Sequence, residues 1–201
     1  MNNDGVNQGR RRFLTGATCV VGAVGVVGAA VPFVGSWNPS AKAKAAGAPV
    51  KANISKLEPG QMITVEWRGK PVYVLRRTEE ALAGLEKTAS LIRDPHSEDS
   101  VQPTYVNPEN RAIKAEILVL VGLCTHLGCA PMFRPEVGID PGSGNKDDSW
   151  VGGFFCPCHG SKFDLAGRVY QGVPAPTNLE VPPYTFESDG VIIIGVDQEA
   201  A

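Results

Sequence analysis

Cys124-Thr125-His126-Leu127-Gly128-Cys129 and Cys156-Pro157-Cys158-His159-Gly160-Ser161 stand 26 residues apart and place four of the five cysteines within 35 residues. Thiolates and imidazoles brought together from two loops suit a borderline-soft metal, so a Cys₂His₂ zinc site is the plainest reading. The spacing argues against it. Zinc fingers pair Cys with Cys through two to four residues, whereas here each box pairs a Cys with a His. Haem attachment needs Cys-x-x-Cys-His, which Cys158-His159 does not complete. Five cysteines are too few for a disulfide scaffold. The clustering marks a site.

The chain around these boxes has 201 residues, room for one ordinary domain and an appendage. Hydrophobic residues are 43% and charged ones 20%, which excludes a disordered chain. Gly 23 and Pro 16 favour many turns and short strands over a helix bundle. Net charge is -2, split as +4 over residues 1–50 and -6 over the rest, so nothing suggests nucleic-acid binding. Met62-Ile63-Thr64-Val65-Glu66-Trp67, the turn Arg68-Gly69-Lys70, and Pro71-Val72-Tyr73-Val74-Leu75 predict a hairpin. Thr78 caps an expected short helix that runs to about Lys87, with Glu79 and Glu80 in its first turn. Residues 93–112 are expected to be loop. Ile117-Leu118-Val119-Leu120-Val121 and Val191-Ile192-Ile193-Ile194 are short apolar runs, read as buried strands. Phe154-Phe155 and residues 162–170, with a turn near Gly167, add further strands. The fold class is mainly β: a small antiparallel sandwich with a bound cofactor.

The N-terminus is different. Residues 1–12 end in Arg10-Arg11-Arg12, and residues 13–37 form an uncharged run of 25. At about 1.5 Å per residue the run covers roughly 37 Å, enough to cross a bilayer with some tilt. Its basic flank predicts a cytoplasmic tail, 1–12, and delivery of the rest to the other side. Gly9-Arg10-Arg11-Arg12-Phe13-Leu14-Thr15 is similar to a twin-arginine export signal. Ala41-Lys42-Ala43 fits a cleavage site, but the apolar run is longer than a signal core and is expected to persist as an anchor. Gly22, Gly25 and Gly28 suit either close helix approach or the ordinary glycine content of membrane helices. Residues 38–50, rich in alanine and lysine, read as a part-helical tether to a head domain over 51–201. Cys19 is expected to be a small apolar residue of the anchor, and His96 plain surface.

The two boxes closely resemble the motif of Rieske iron–sulfur proteins, in particular the bacterial subunit of cytochrome bc complexes. The twin-arginine anchor, Trp67-Arg68-Gly69-Lys70-Pro71 and Gly172-Val173-Pro174-Ala175-Pro176 share the likeness. The resemblance implies a Rieske head with a cluster-binding part over about 118–176. It implies one [2Fe–2S] cluster, with Cys124 and Cys156 on one iron and His126 and His159 on the other. It further implies a Cys129–Cys158 disulfide, Leu127 shielding the cluster, and a proline loop containing Pro174 over its third side. Ser161 is expected to hydrogen-bond a cluster sulfur. Two departures stand out. The segment Gly138-Ile139-Asp140-Pro141-Gly142-Ser143-Gly144-Asn145-Lys146-Asp147-Asp148 lengthens the interval between the boxes and reads as a surface excursion. Phe163 stands where many relatives have tyrosine.

The function so implied is electron transfer from quinol, through His159, to a c-type cytochrome, in a dimeric membrane complex with a cytochrome b subunit. The location expected is a bacterial inner membrane, crossed once, with the head periplasmic. Two other readings compete. A periplasmic molybdenum oxidase of the arsenite type carries a small Rieske subunit, for which cleavage after Ala43 would speak. Rieske ferredoxins of oxygenases lack the second cysteine pair, so Cys129 and Cys158 speak against that reading.

Overall fold

The computed structural model describes Gly5 and residues 7–197, in two compact units that meet in the chain between Ala45 and Ala46. Part of the expected tail, 1–12, and the last four residues of the head lie outside the described residues.

The first unit is helix α1, Gln8–Gly35, apolar enough to cross a membrane and fully exposed. It begins five residues before the apolar run because Asn7 caps it, accepting a hydrogen bond from the Arg10 N–H at 3.1 Å. Arginine is a good helix former, so the basic stretch joins the helix. The far end is Gly35 rather than Trp37; the Ser36 N–H closes it by donating to the Pro32 and Phe33 carbonyls. The expected tether is part-helical, with α2 at Ala41–Ala46, but it is shorter by one residue because strand β1 begins at Val50.

Among the described residues the second unit contains three antiparallel sheets of three strands. The first joins β1 (Val50–Asn53), β9 (Val191–Ile194) and β8 (Tyr184–Ser188). The second joins β2 (Met62–Trp67), β3 (Lys70–Arg76) and β4 (Ile117–Val121). The third joins β5 (Met132–Arg134), β6 (Gly153–Phe155) and β7 (Lys162–Phe163). The hairpin β2–β3 turns on Arg68 and Gly69, both at positive φ, as tight hairpin turns require. Helix α3, Glu79–Thr88, is capped by Thr78 as expected. Residues 93–112 contain no helix or strand.

Strand β4 is buried along all five residues, and one core packs β3 and β4 against β9, Phe154, Phe163 and Leu179. At about 25 cal/mol per Å² this burial dominates the head's stability. Tyr184, fully buried in β8, ties sheet to loop: its hydroxyl accepts from the Ile113 N–H at 2.9 Å. Cys129, before β5, and Cys158, after β6, form a disulfide across 29 residues.

Two outcomes are expected. Removing the cross-link in Cys129→Ser/Cys158→Ser should cost about 3.5 kcal/mol, the loop-closure entropy of a loop this long. Denaturant unfolding of the extracted protein measures it, and an unchanged midpoint would contradict a stabilising role. Burial pushes the Tyr184 phenol up to about 12. Its contribution is therefore complete below about pH 10, the phenol's ordinary value, and lost as pH rises through 12. Wild type should lose stability over Tyr184→Phe by up to about 1.4 kcal/mol per pH unit in that window. Comparing the two chains cancels Tyr73 and Tyr170, which burial pushes the same way.

Candidate metal centre

Both boxes are loops hung from buried strands. The first follows β4 and leads into β5; the second is the loop of the β6–β7 hairpin. Between β4 and Cys124 stands Gly122, where a Cβ would lie 2.4 Å from the Tyr73 ring. Only glycine lets that ring seat, with its hydroxyl donating to the Pro131 carbonyl at 2.9 Å.

The loops repeat one hydrogen-bond pattern. The Cys124 N–H donates to the Cys129 carbonyl at 2.7 Å, and the Gly128 N–H returns to the Cys124 carbonyl at 2.9 Å. In the second loop the Cys156 N–H donates to the Ser161 carbonyl at 2.8 Å, and the Gly160 N–H to the Cys156 carbonyl at 2.9 Å. Gly128 and Gly160 close the turns at φ 80° and 77°, where a Cβ would meet no obstacle. Backbone conformation, not space, selects glycine there. The Cys129–Cys158 disulfide joins the two loops.

The two loops carry four candidate donors. Cys124 and Cys156 are buried free thiols. Burial pushes the Cys124 thiol up; the His126 backbone and the Ser161 hydroxyl, hydrogen-bonding to it, pull the other way, and the neighbouring Cys156 thiol raises it further. The His126 and His159 rings lie 4.7 Å apart, nearly perpendicular. His126 Nδ1 is buried and has no hydrogen-bond partner among the described residues. A buried imidazole nitrogen without a partner costs about 1–3 kcal/mol, which a metal ligated there would recover. Two thiols and two imidazoles, one with an open nitrogen, fit a [2Fe–2S] cluster of the two-cysteine, two-histidine kind. Cys129, Cys156 and Cys158 also bring three sulfurs within 4.8 Å, but two of these are spent in the disulfide and lack thiolate character.

The remaining expected residues fall around this centre. Ser161 is buried, and its Oγ accepts from the Ala175 N–H at 3.0 Å. Leu127 is 71% exposed at the tip of the first loop. Phe163 is fully buried and pairs with Phe154 across β6–β7. Pro174 is exposed on the 172–176 loop, where Ala175 is buried. His96 is exposed, 4.0 Å from the Glu109 carboxylate.

Three contacts carry no signal in the sequence. The Thr125 hydroxyl donates to the Thr177 carbonyl at 2.7 Å, tying the proline loop to the first box. Arg93 donates to the Val173, Ala175 and Pro176 carbonyls. Lys162, next to Ser161, is ion-paired with Asp140 and with Asp147 at 3.6 Å, so the 138–148 excursion is docked on β7. Asp140 also accepts from the Ser143 N–H and hydroxyl, and these bonds with Lys162 hold its carboxyl well below the usual carboxylate range. Only the last segment drew notice as a surface excursion; its anchor becomes visible once β6 and β7 are paired.

Comparison with known proteins agrees with this geometry. The model of the Rieske [2Fe-2S] domain matches residues 48–184, and that described as the ubiquitinol-cytochrome C reductase Fe-S subunit TAT signal matches residues 1–40. The chain is 55% identical over 201 residues to the ubiquinol-cytochrome c reductase iron-sulfur subunit of Allochromatium vinosum, covering 100% of this chain and 95% of that one. The same-named subunit of Bradyrhizobium diazoefficiens is 44% identical over 188 residues, 92% of this chain and 94% of that one. That of Blastochloris viridis is 43% identical over 195 residues, 96% and 97% of the two chains. With its donor set, its cross-linked loops and these full-length likenesses, the chain belongs to the Rieske [2Fe–2S] family of ubiquinol–cytochrome c reductase iron–sulfur subunits.

Proposed function

We propose that this protein is the electron-transferring subunit of a quinol–cytochrome c oxidoreductase, with Cys124 and Cys156 on one iron of its cluster and His126 and His159 on the other. One observation carries the reading. Disulfide-linked loops carry two buried free thiols and two adjacent imidazoles, and of those imidazoles His159 is exposed. The bound cluster supplies a one-electron acceptor whose neutral imidazole ligands raise its potential above that of all-cysteine clusters. His159 receives a hydrogen bond from quinol and takes the proton as the electron is accepted. His126 is half-buried with its Nδ1 turned away from solvent, so it ligates without meeting substrate. Leu127, exposed beside His126, is the apolar contact for the quinol-binding subunit. Ser161 gives a hydrogen bond to a cluster sulfur, and Pro174 caps the remaining side.

Helix α1 anchors the subunit, with Arg10, Arg11 and Arg12 on the cytoplasmic side and the head in the periplasm. Residues 38–49 tether the head, which visits a cytochrome b subunit and a c-type cytochrome in turn. The full-length likeness, helix included, supports a bc-type complex over the molybdenum-oxidase reading, and the disulfide disfavours an oxygenase ferredoxin.

Two measurements test the reading. Reduction adds negative charge beside the imidazoles and favours their protonated form. The midpoint potential should therefore fall by about 59 mV per pH unit for each coupled proton, once pH is high enough to deprotonate a histidine of the oxidised protein. A potential flat from neutral to strongly alkaline pH, in a titration followed by EPR, would falsify histidine ligation. The second concerns Phe163, whose ring packs like a tyrosine's but cannot donate a hydrogen bond. In Phe163→Tyr a donor to a ligand sulfur worth about 0.5–1.5 kcal/mol more in the reduced state raises the potential by roughly 20–60 mV. An intact EPR signal with an unmoved potential would show that this position does not tune the cluster.

A further inference from the structure

We infer that Arg93 is a positioning residue for the cluster pocket. Its guanidinium clamps the 172–176 loop, which keeps the Ala175 N–H on Ser161 Oγ and leaves the Ser161 hydrogen free for a sulfur of the cluster. The inference rests on the ligand assignment proposed above.

The loop has little to hold itself in place. Pro174 and Pro176 lack an N–H, so the segment cannot join a sheet as a regular strand. Arg93 supplies what the backbone cannot. One guanidinium nitrogen donates to the Ala175 carbonyl at 3.1 Å and the Pro176 carbonyl at 3.3 Å; the other donates to the Val173 carbonyl at 3.1 Å. A planar fork with several fixed donors can satisfy three carbonyls at once; a lysine ammonium has no such geometry.

Arg93 is itself fixed to the chain that leads into the loop. Its N–H donates to the Val169 carbonyl at 2.9 Å, Ile92 pairs with Tyr170, and the Gln171 N–H donates to the Leu91 carbonyl at 2.8 Å. Residues 91–93 thus run against 169–171, and the Arg93 side chain reaches forward over the segment that follows. The clamp stands on a rigid base.

At the other end of the loop, Ala175 is the only non-proline residue between two prolines, and its N–H is spent on Ser161 Oγ at 3.0 Å. A hydroxyl whose oxygen already accepts a hydrogen bond has its own hydrogen free for another acceptor. For Ser161 that acceptor is a sulfur of the proposed cluster site, beside which it is buried. The chain of contacts runs Arg93, loop carbonyls, Ala175 N–H, Ser161 Oγ. A donor to a ligand sulfur stabilises the more negative reduced state, so loosening the clamp should lower the midpoint potential.

Arg93 is exposed and makes no part of the core, so its replacement spares the fold. The test uses the full chain in its native membranes, with Arg93→Ala, Arg93→Lys and Ser161→Ala, alone and combined. EPR-monitored redox titration should give Arg93→Ala a lower potential than wild type, with Arg93→Lys between the two. In the Ser161→Ala background the Arg93→Ala shift should vanish, because the link through Ser161 is already cut. An unmoved potential in Arg93→Ala overturns the inference. So does an equal shift with and without Ser161, together with wild-type behaviour of Arg93→Lys, since charge alone would then explain the effect. Hydrogen exchange, which needs no potential, reads the clamp itself: exchange of the Ala175 amide should quicken about tenfold in Arg93→Ala, and unchanged protection overturns the clamp. A wild-type protein without a Rieske-type EPR signal would instead sink the ligand assignment, whereas a normal wild-type signal beside unchanged exchange sinks only the role of Arg93.

Discussion

Two loops carry the four proposed ligands, and the Cys129–Cys158 bond is what holds those loops together. Each loop alone is a short turn held by two backbone hydrogen bonds and a glycine at positive φ. Such turns open on their own, since local contacts of this size amount to a few kcal/mol at most. Joined covalently, neither can open without the other. The fully buried β4 and the β6–β7 hairpin then act as two rigid arms that deliver Cys124 and Cys156 to the same place.

Around that bond polar side chains close the site. Thr125 reaches the proline loop from the first box, Ser161 from the second, and Arg93 from outside both. Lys162 draws the 138–148 segment onto β7 through Asp140 and Asp147. The result is an asymmetric centre. His159 is exposed, His126 is half-buried and both thiols are buried. That asymmetry suits the proposed transfer at one face while keeping water away from the sulfurs.

Much of the fold could be read in advance. Alternating apolar positions and the Arg68-Gly69 turn located β2 and β3, a short apolar run located β4, and Thr78 located α3. Strand β1 escaped because Val50-Lys51-Ala52-Asn53 has no alternation strong enough to see; it is a strand because β9 offers it an edge. Strand β5 is three residues long and exists by pairing with β6. Helix α1 starts earlier than its apolar run because capping by Asn7, not hydropathy, decides where a helix begins.

The site divides in the same way. Two boxes with cysteine, histidine and glycine at fixed spacing were enough to propose the ligands, since ligand chemistry is a property of residue type and short-range order. Ser161 and Pro174 enter the proposal because they sit in or beside those motifs. Arg93 was not. It lies 80 to 83 residues before the carbonyls it holds, in a polar loop with no period, and nothing in its neighbours marks it. A hydrogen bond to a backbone carbonyl accepts any residue type on the other side, so it leaves no pattern in sequence. Sequence determined the cluster-binding family and the candidate ligands, because those groups must have particular chemistry. Tertiary structure alone decided what holds the pocket shut, because there only position matters.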